Sequence, residues 1–462
     1  MTPRRRHLLI AALLTAAVGA AGCSTVSRLN PFHGSSGPKE VAEGQRISII
    51  QQDEVLAPAD ALKGVGFALP TPAPVADWPL PGGTPEQSVE NVSAGADLTV
   101  AWRERIGQAS NRDIHITAPP VIAAGRIYTM DAEAGVEAHD ARSGAEVWRA
   151  NLRPNDNRRD REGFGGGLAF VDGKLYVTSG YRFVAAVDAA TGRLIWRTRT
   201  DEPIHAAPTV AEGRLMAVAL DNSLLTFDAA TGAPGWSYQA LSEPARILGA
   251  SSPAVSGDTV VASFGSGELV ALRVANGNDL WDEALSRASS TSALSEIRDI
   301  PGRPVIYRGD VYAVSHSGVF SATDLRTGQA KWSLPVVGIS TPLPAGDVVY
   351  VVSKTGELVC ASRDSGQIFW MRDLNEGFVP RRVGGFWRIG SHKELKPIWS
   401  GPLLADNRLL LAGSNGQLVA VDAKTGAVEK KIELGGPGLI GPIAAGDLVY
   451  VVTDNGQLIA LR

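Results

Sequence analysis

From Leu98 to Arg462 the chain is a series of short apolar runs separated by polar turns, and the runs recur in a fixed order. An apolar run leads into Asp-Ala-x-Thr-Gly or a variant of it, and a stretch carrying tryptophan follows. The copies are Asp140–Gly144 with Trp148, Asp188–Gly192 with Trp196, Asp228–Gly232 with Trp236, Val274–Gly277 with Trp281, Asp324–Gly328 with Trp332, Arg363–Gly366 with Trp370, and Asp422–Gly426 with Lys430 in the tryptophan's place. Upstream of each lies a second turn marker followed by another apolar run: Gly125-Arg126, Gly173-Lys174, Gly213-Arg214, Gly257-Asp258, Gly309-Asp310, Gly346-Asp347 and Asn407-Arg408, with an eighth at Gly446-Asp447. Runs this short, bounded by turn formers, read as β-strands, and their recurrence at a fixed interval outranks any single-segment reading.

The count decides the architecture. The last copy stops at Arg462 without a tryptophan strand, while Leu98–Arg103, with Trp102, is an outer-strand segment with no unit before it. Joining the two gives eight units of roughly 46 residues each, within the range of propeller repeats. The expectation is an all-β fold: an eight-bladed β-propeller of four-stranded antiparallel blades over residues 98–462, closed by pairing an N-terminal strand with the C-terminal blade. Closure of this kind leaves only short, protected sheet edges. The repeated Asp, Gly and Trp are structural: Asp accepts turn N–H bonds, Gly supplies positive φ, and Trp buries a ring between sheets.

Ahead of the ring, Arg4, Arg5 and Arg6 precede the apolar run Leu8–Val18 and the small residues Ala20, Ala21 and Gly22 before Cys23. This is a secretion signal over residues 1–22, and the run is short for a bilayer core of about 30 Å. The Ala-Ala-Gly-Cys ending resembles the lipobox of bacterial lipoproteins, which implies acylation of Cys23. Ser24, where aspartate would resemble an inner-membrane retention signal, points to the periplasmic face of the outer membrane. Residues 23–97 are expected to form a lipidated tether and extended arm, with the stretch around Trp78 docking on the ring and the rest leaving it free to reach a partner.

A net charge of −4 at pH 7 argues against nucleic-acid binding. Once Cys23 carries lipid, Cys360 is the only remaining cysteine, so no intrachain disulfide is expected. Cys360 lies in the run Leu358–Ala361 and reads as a buried, inert thiol. The seven histidines show no metal-ligand spacing, and each is expected at a surface or turn. Neither a Gly-x-Ser-x-Gly elbow nor a phosphate loop is present, and Gly163–Gly167 reads as a turn into an inner strand. No catalytic residue, metal or cofactor is assigned.

The tryptophan repeat resembles that of pyrroloquinoline quinone dehydrogenases, which are also eight-bladed, but the adjacent cysteine pair usual there is missing. The lipobox, polar tether and eight repeats together resemble the BamB family of lipoproteins of the β-barrel assembly machinery. The resemblance implies a non-enzymatic scaffold that binds the POTRA domains of BamA and aids folding and insertion of outer-membrane β-barrel proteins, with unfolded outer-membrane proteins as further partners. Two segments match the family's binding loops. In Ala245–Pro253, Ile247 stands at a family leucine and Leu248 at its arginine, with Arg246 two places out of register. In Ser295–Pro304, Asp299 matches the first of two family aspartates and Pro301 replaces the second.

Arg246, Ile247, Leu248, Arg298 and Asp299 are therefore the partner-binding candidates, forming an apolar anchor with rim charges. Ordinary packing of adjacent loops is the other reading. The segment 377–400 is an insertion rich in aromatic residues and arginine, including Phe378, Arg381, Arg382, Phe386, Trp387, Arg388 and Trp399. It is either a second contact surface or a loop folded back over a blade edge. A quinoprotein-like periplasmic oxidoreductase and a propeller that captures peptides by edge addition are the competing functions.

Overall fold

In each repeat the second and third strands are buried at most positions. Val348–Val352 and Leu448–Thr453 are buried throughout, as only strands covered on both faces can be. Outer strands such as Leu194–Arg199 instead alternate exposed and half-buried residues. That contrast is what a radial sheet produces, with dry faces near the axis and a wet rim. The structure is a computed structural model and describes residues 56–154, 163–242, 251–286, 297–380, 382–383 and 392–462. All of these lie in one unit, Glu54–Arg462.

Among the described residues there are eight four-stranded antiparallel sheets, each a blade. Blade 1 consists of Val121–Ala123, Arg126–Met130, Gly135–Asp140 and Glu146–Asn151, and blades 2 to 7 repeat that order along the chain. Blade 8 takes Ile443–Ala445, Leu448–Thr453 and Gln457–Leu461 from the C-terminus and its outer strand, Val100–Arg105, from the other end of the ring. The eight-bladed propeller and its closure are thus as the repeat count predicts.

The repeated turn has one geometry. Asp188 Oδ1 accepts both the N–H (2.9 Å) and the hydroxyl (2.7 Å) of Thr191, and Asp228 does the same with Thr231 at 2.8 and 2.7 Å. These bonds, led by that from the threonine hydroxyl, hold both carboxyls below the usual aspartate range. The glycine after the threonine meets two demands at once. Gly192 has φ +73°, and a Cβ there would stand 2.5 Å from the Trp148 ring of the preceding blade. Trp148 covers that glycine and donates its indole N–H to Ala189 O in the same turn, at 3.0 Å. Trp196, Trp236, Trp281 and Trp332 bond the next blade in the same way, whereas Trp102 and Trp370 cover the glycine without an indole hydrogen bond.

The seam explains the one replacement. Blade 8 has no chain turn between its third and outer strands, so an indole at position 430 would have no glycine turn to cover. Lys430 instead donates to Asp97 O (2.5 Å), and Arg408 donates to Ala96 O (3.0 Å) and Gly95 O (2.7 Å). Thr99 and Arg462 exchange backbone bonds of 2.9 and 2.8 Å across the join.

The arm departs from the sequence expectation. Docking around Trp78 is present, with Trp78 buried and its backbone exchanging bonds of 2.7 and 2.8 Å with Ile122. Far more of the segment is bound, however, and residues 56–97 do not hang free. Its carbonyls accept backbone N–H bonds from Phe170 (to Pro79), Val255 (to Pro85), Ile306 (to Glu86), Asp347 (to Ala68), Asp406 (to Val92) and Gly446 (to Val75). Gln87 adds blade 3 by donating to Thr209 Oγ1 at 3.1 Å. Every blade is therefore touched. The physical reason is that the first strands are sheet edges facing the axis, with backbone groups that need partners. Among the described residues no helix is long and apolar enough to cross a membrane.

Candidate functional site

Because strands alternate in direction, the two faces of the ring carry different chain. One bears the first-to-second and third-to-fourth turns, and the other bears the second-to-third turns and the blade-to-blade connections. The arm binds at the first of these, since Asp347, Asp406 and Gly446 all sit at first-to-second turns. The opposite face is formed by the connections, and on it lie Leu241, Val337, Val379, Leu395, Ile398 and Leu439, all exposed. Leu395 and Val379 are 85% and 75% exposed, far beyond what apolar side chains reach in a packed loop. This connection face is the candidate site.

Of the residues expected there, Arg246, Ile247 and Leu248 lie outside the described residues, as does the lipidation candidate Cys23. Arg298 and Asp299 are described and part company. Arg298 is exposed on the connection leading into blade 5, whereas Asp299 is only 2% exposed. Asp299 is not a rim charge in this structure. Its backbone carbonyl accepts the His316 N–H (2.8 Å), and Ile300 beside it is buried as well. Gly267, at φ +84°, allows the approach: a Cβ there would come within 2.9 Å of Arg298.

The insertion after Trp370 contains a two-stranded pair, Arg382–Val383 with His392–Lys393. Its final aromatic is not a contact residue, because Trp399 is buried in the core of blades 6 and 7 and donates its indole N–H to Asn375 Oδ1 at 3.0 Å. Phe386, Trp387 and Arg388 lie outside the described residues.

The histidines also correct the sequence reading. His115 is exposed, but His139, His205 and His316 are buried. His139 is set between two acceptors, Glu137 Oε2 and Gly144 O, each 3.0 Å from a ring nitrogen. Burial opposes its charge, but the bonds from Glu137 and Gly144 outweigh that and hold its pKa above the usual histidine value. Glu137 also accepts from Gly107 N–H (2.9 Å) and Arg149 Nε (3.1 Å), so the cluster ties the end of the closing strand to blade 1. It is a structural clamp. His316 Nε2 lies 3.0 Å from Lys354 Nζ, and burial with that ammonium depresses its pKa.

Cys360 is fully buried, and burial pushes its thiol pKa up, as its apolar run implied. No three His, Cys, Asp or Glu side chains converge as a metal-holding group among the described residues.

Along the axis runs a cavity of about 340 Å³, walled by the segments leading into the first strands and floored by the arm through Trp78, Pro81 and Gln87. Arg303, which sequence reasoning passed over, faces this cavity. Nothing in its local sequence marks it, since only ring closure brings position 303 to the axis.

The sequence family described as "Outer membrane protein assembly factor BamB" matches residues 132–372 and 384–462. An outer membrane protein assembly factor BamB from Moranella endobia is 22% identical over 364 residues, covering 78% of this chain and 89% of its own. Among solved structures, BamB from Moraxella catarrhalis superposes with a TM-score of 0.62 at 17% identity, covering 79% of this chain and 99% of its own. A quinohemoprotein alcohol dehydrogenase from Comamonas testosteroni superposes equally well, with a TM-score of 0.63 at 15% identity over 88% of this chain and 82% of its own. At such identities the structural likeness speaks for the propeller alone.

Proposed function

This chain belongs to the family of the outer membrane protein assembly factor BamB, and on that premise we propose that it is a non-enzymatic scaffold of the β-barrel assembly machinery. In this reading Cys23 carries the lipid that holds it at the periplasmic face of the outer membrane, and the connection face binds the POTRA domains of BamA. The scaffold aids folding and insertion of outer-membrane β-barrel proteins.

The observation that carries the placement is the asymmetry of the ring. The arm occupies one face and the axial edges of the first strands, which leaves the connection face, with its exposed Leu241, Val379 and Leu395, to receive a partner. Arg298 supplies a charge at its rim, and Arg246, Ile247 and Leu248 remain partner-binding candidates of this reading. Exposed apolar anchors ringed by charge are the usual composition of a protein interface.

The experiment is capture of BamA from solubilised envelopes by the tagged chain and by a Leu241→Asp, Arg298→Glu double variant. Loss of capture with unchanged folding supports the reading; undiminished capture contradicts it. The quinoprotein alternative is tested on the same purified protein with added quinone and calcium, where dye reduction would favour it.

A further inference from the structure

We propose that the axial cavity is a binding site for a small organic carboxylate, held by the guanidinium of Arg303.

Arg303 is fixed by its backbone before its side chain does anything. It immediately precedes the first strand of blade 5, Val305–Tyr307, and its N–H donates to Thr341 Oγ1 (3.2 Å) on the segment leading into blade 6. That bond sets the residue between two blades with its side chain at the cavity wall. Among the described residues the guanidinium has no ion pair and no acceptor; its Nε is shielded from solvent without a partner, while the side chain as a whole stays partly exposed at the cavity wall. Burial alone lowers its pKa to about 10, still well above neutrality, so the group is a cation in the periplasmic pH range.

Other buried charges in the ring are treated differently. Glu137 is answered by His139 and Arg149, and Asp310 by Lys331 and Arg363. A cation partly withdrawn from solvent with no acceptor of its own is costly, and a shielded donor such as the Arg303 Nε calls for an explanation. An anion bound in the cavity supplies one.

The surroundings select the kind of anion. The guanidinium is a planar fork that matches a carboxylate through two parallel N–H···O bonds. The rest of the wall is mixed, with Leu343, Leu403 and Ile443 giving apolar surface and Thr117, Ser252 and Ser400 giving hydroxyls, which suits an organic body carrying polar groups over a bare, strongly hydrated ion. On the floor, Gln87 is fixed by donating its amide to Thr209 Oγ1 and Pro253 O. A volume of about 340 Å³ is at the small end of ligand pockets, enough for a single aromatic or branched acid. The arm closes the floor, so such a ligand enters from the connection face.

The test is calorimetric titration of the full mature chain with phenylacetate, citrate and inorganic phosphate at constant ionic strength, repeated with Arg303→Met and Arg303→Gln. The expected result is saturable one-to-one binding of a carboxylate probe, weakened roughly tenfold or more in both variants. Met removes the unpaired charge, so the ligand-free Arg303→Met protein is also expected to melt no lower than the parent. No saturable binding of either carboxylate, equal binding to parent and variants, or tighter binding of phosphate than of both carboxylates would overturn the assignment. Should the variants fail to fold, crystals of the parent soaked in 4-bromophenylacetate decide the matter: anomalous bromine density beside Arg303 supports the site, and its absence there refutes it.

Discussion

The two faces of the ring are built from the same repeats and finish in opposite states. On the arm face, residues 56–97 bond to first strands and first-to-second turns around the ring, Trp78 and Leu80 are buried, and the exposed bulky apolar side chain among the arm's described residues is Val65. On the connection face, the loops between blades differ from one another in length and carry exposed leucines and valines. The difference teaches where variation is tolerated. The short turns are locked by the Asp–Thr–Gly geometry and the tryptophan of the neighbouring blade, whereas the connections bear no such duty and are free to serve recognition.

Four perturbations break or sharpen the contrast. Removing residues up to Arg105 deletes the outer strand of blade 8 together with the arm, and loss of cooperative urea unfolding is the expected outcome. Trp78→Ala, which empties a buried site on the arm face, is expected to cost about 3–5 kcal/mol, read from the shift in the urea midpoint.

His139→Gln is expected to cost about 1–3 kcal/mol at mildly acidic pH. Because the folded pKa of His139 is raised, its contribution is fully present below the unfolded value of about 6.5 and disappears as pH rises through the folded value. The parent should therefore lose stability relative to this variant between mildly acidic and mildly basic pH, and parallel pH profiles would exclude a charged His139. The smallest effect belongs to the connection face, where Leu241→Asp with Leu395→Asp should leave stability within about 0.5 kcal/mol while abolishing partner capture.

The ring was legible from sequence because each unit repeats its own evidence: a turn aspartate, a glycine under a ring, a tryptophan on the outer strand. Lys430 was visible as an exception, though its reason, a seam with no turn to cover, needed the closed ring. The arm's path was not legible, since it rests mostly on backbone bonds to first strands and first-to-second turns of successive blades and leaves no periodic side-chain pattern. Asp299 was misplaced for a related reason. Its charge suggested the rim, but the segment is bonded to the His316 backbone and residues 299 and 300 are both buried. Trp399 failed in the other direction, an aromatic in an irregular insertion that proves to be core because Asn375 reaches its indole. Arg303 had no local signature at all.

The central claim, that the connection face receives the partner and the arm face does not, is tested most directly by photocross-linking in intact envelopes. A cross-linking residue is placed at Leu241, Arg298 or Leu395 and, as the opposing set, at Lys63 or Val65. The account predicts adducts with BamA from the first set alone. Adducts from the arm positions, with none from the connection face, would contradict it.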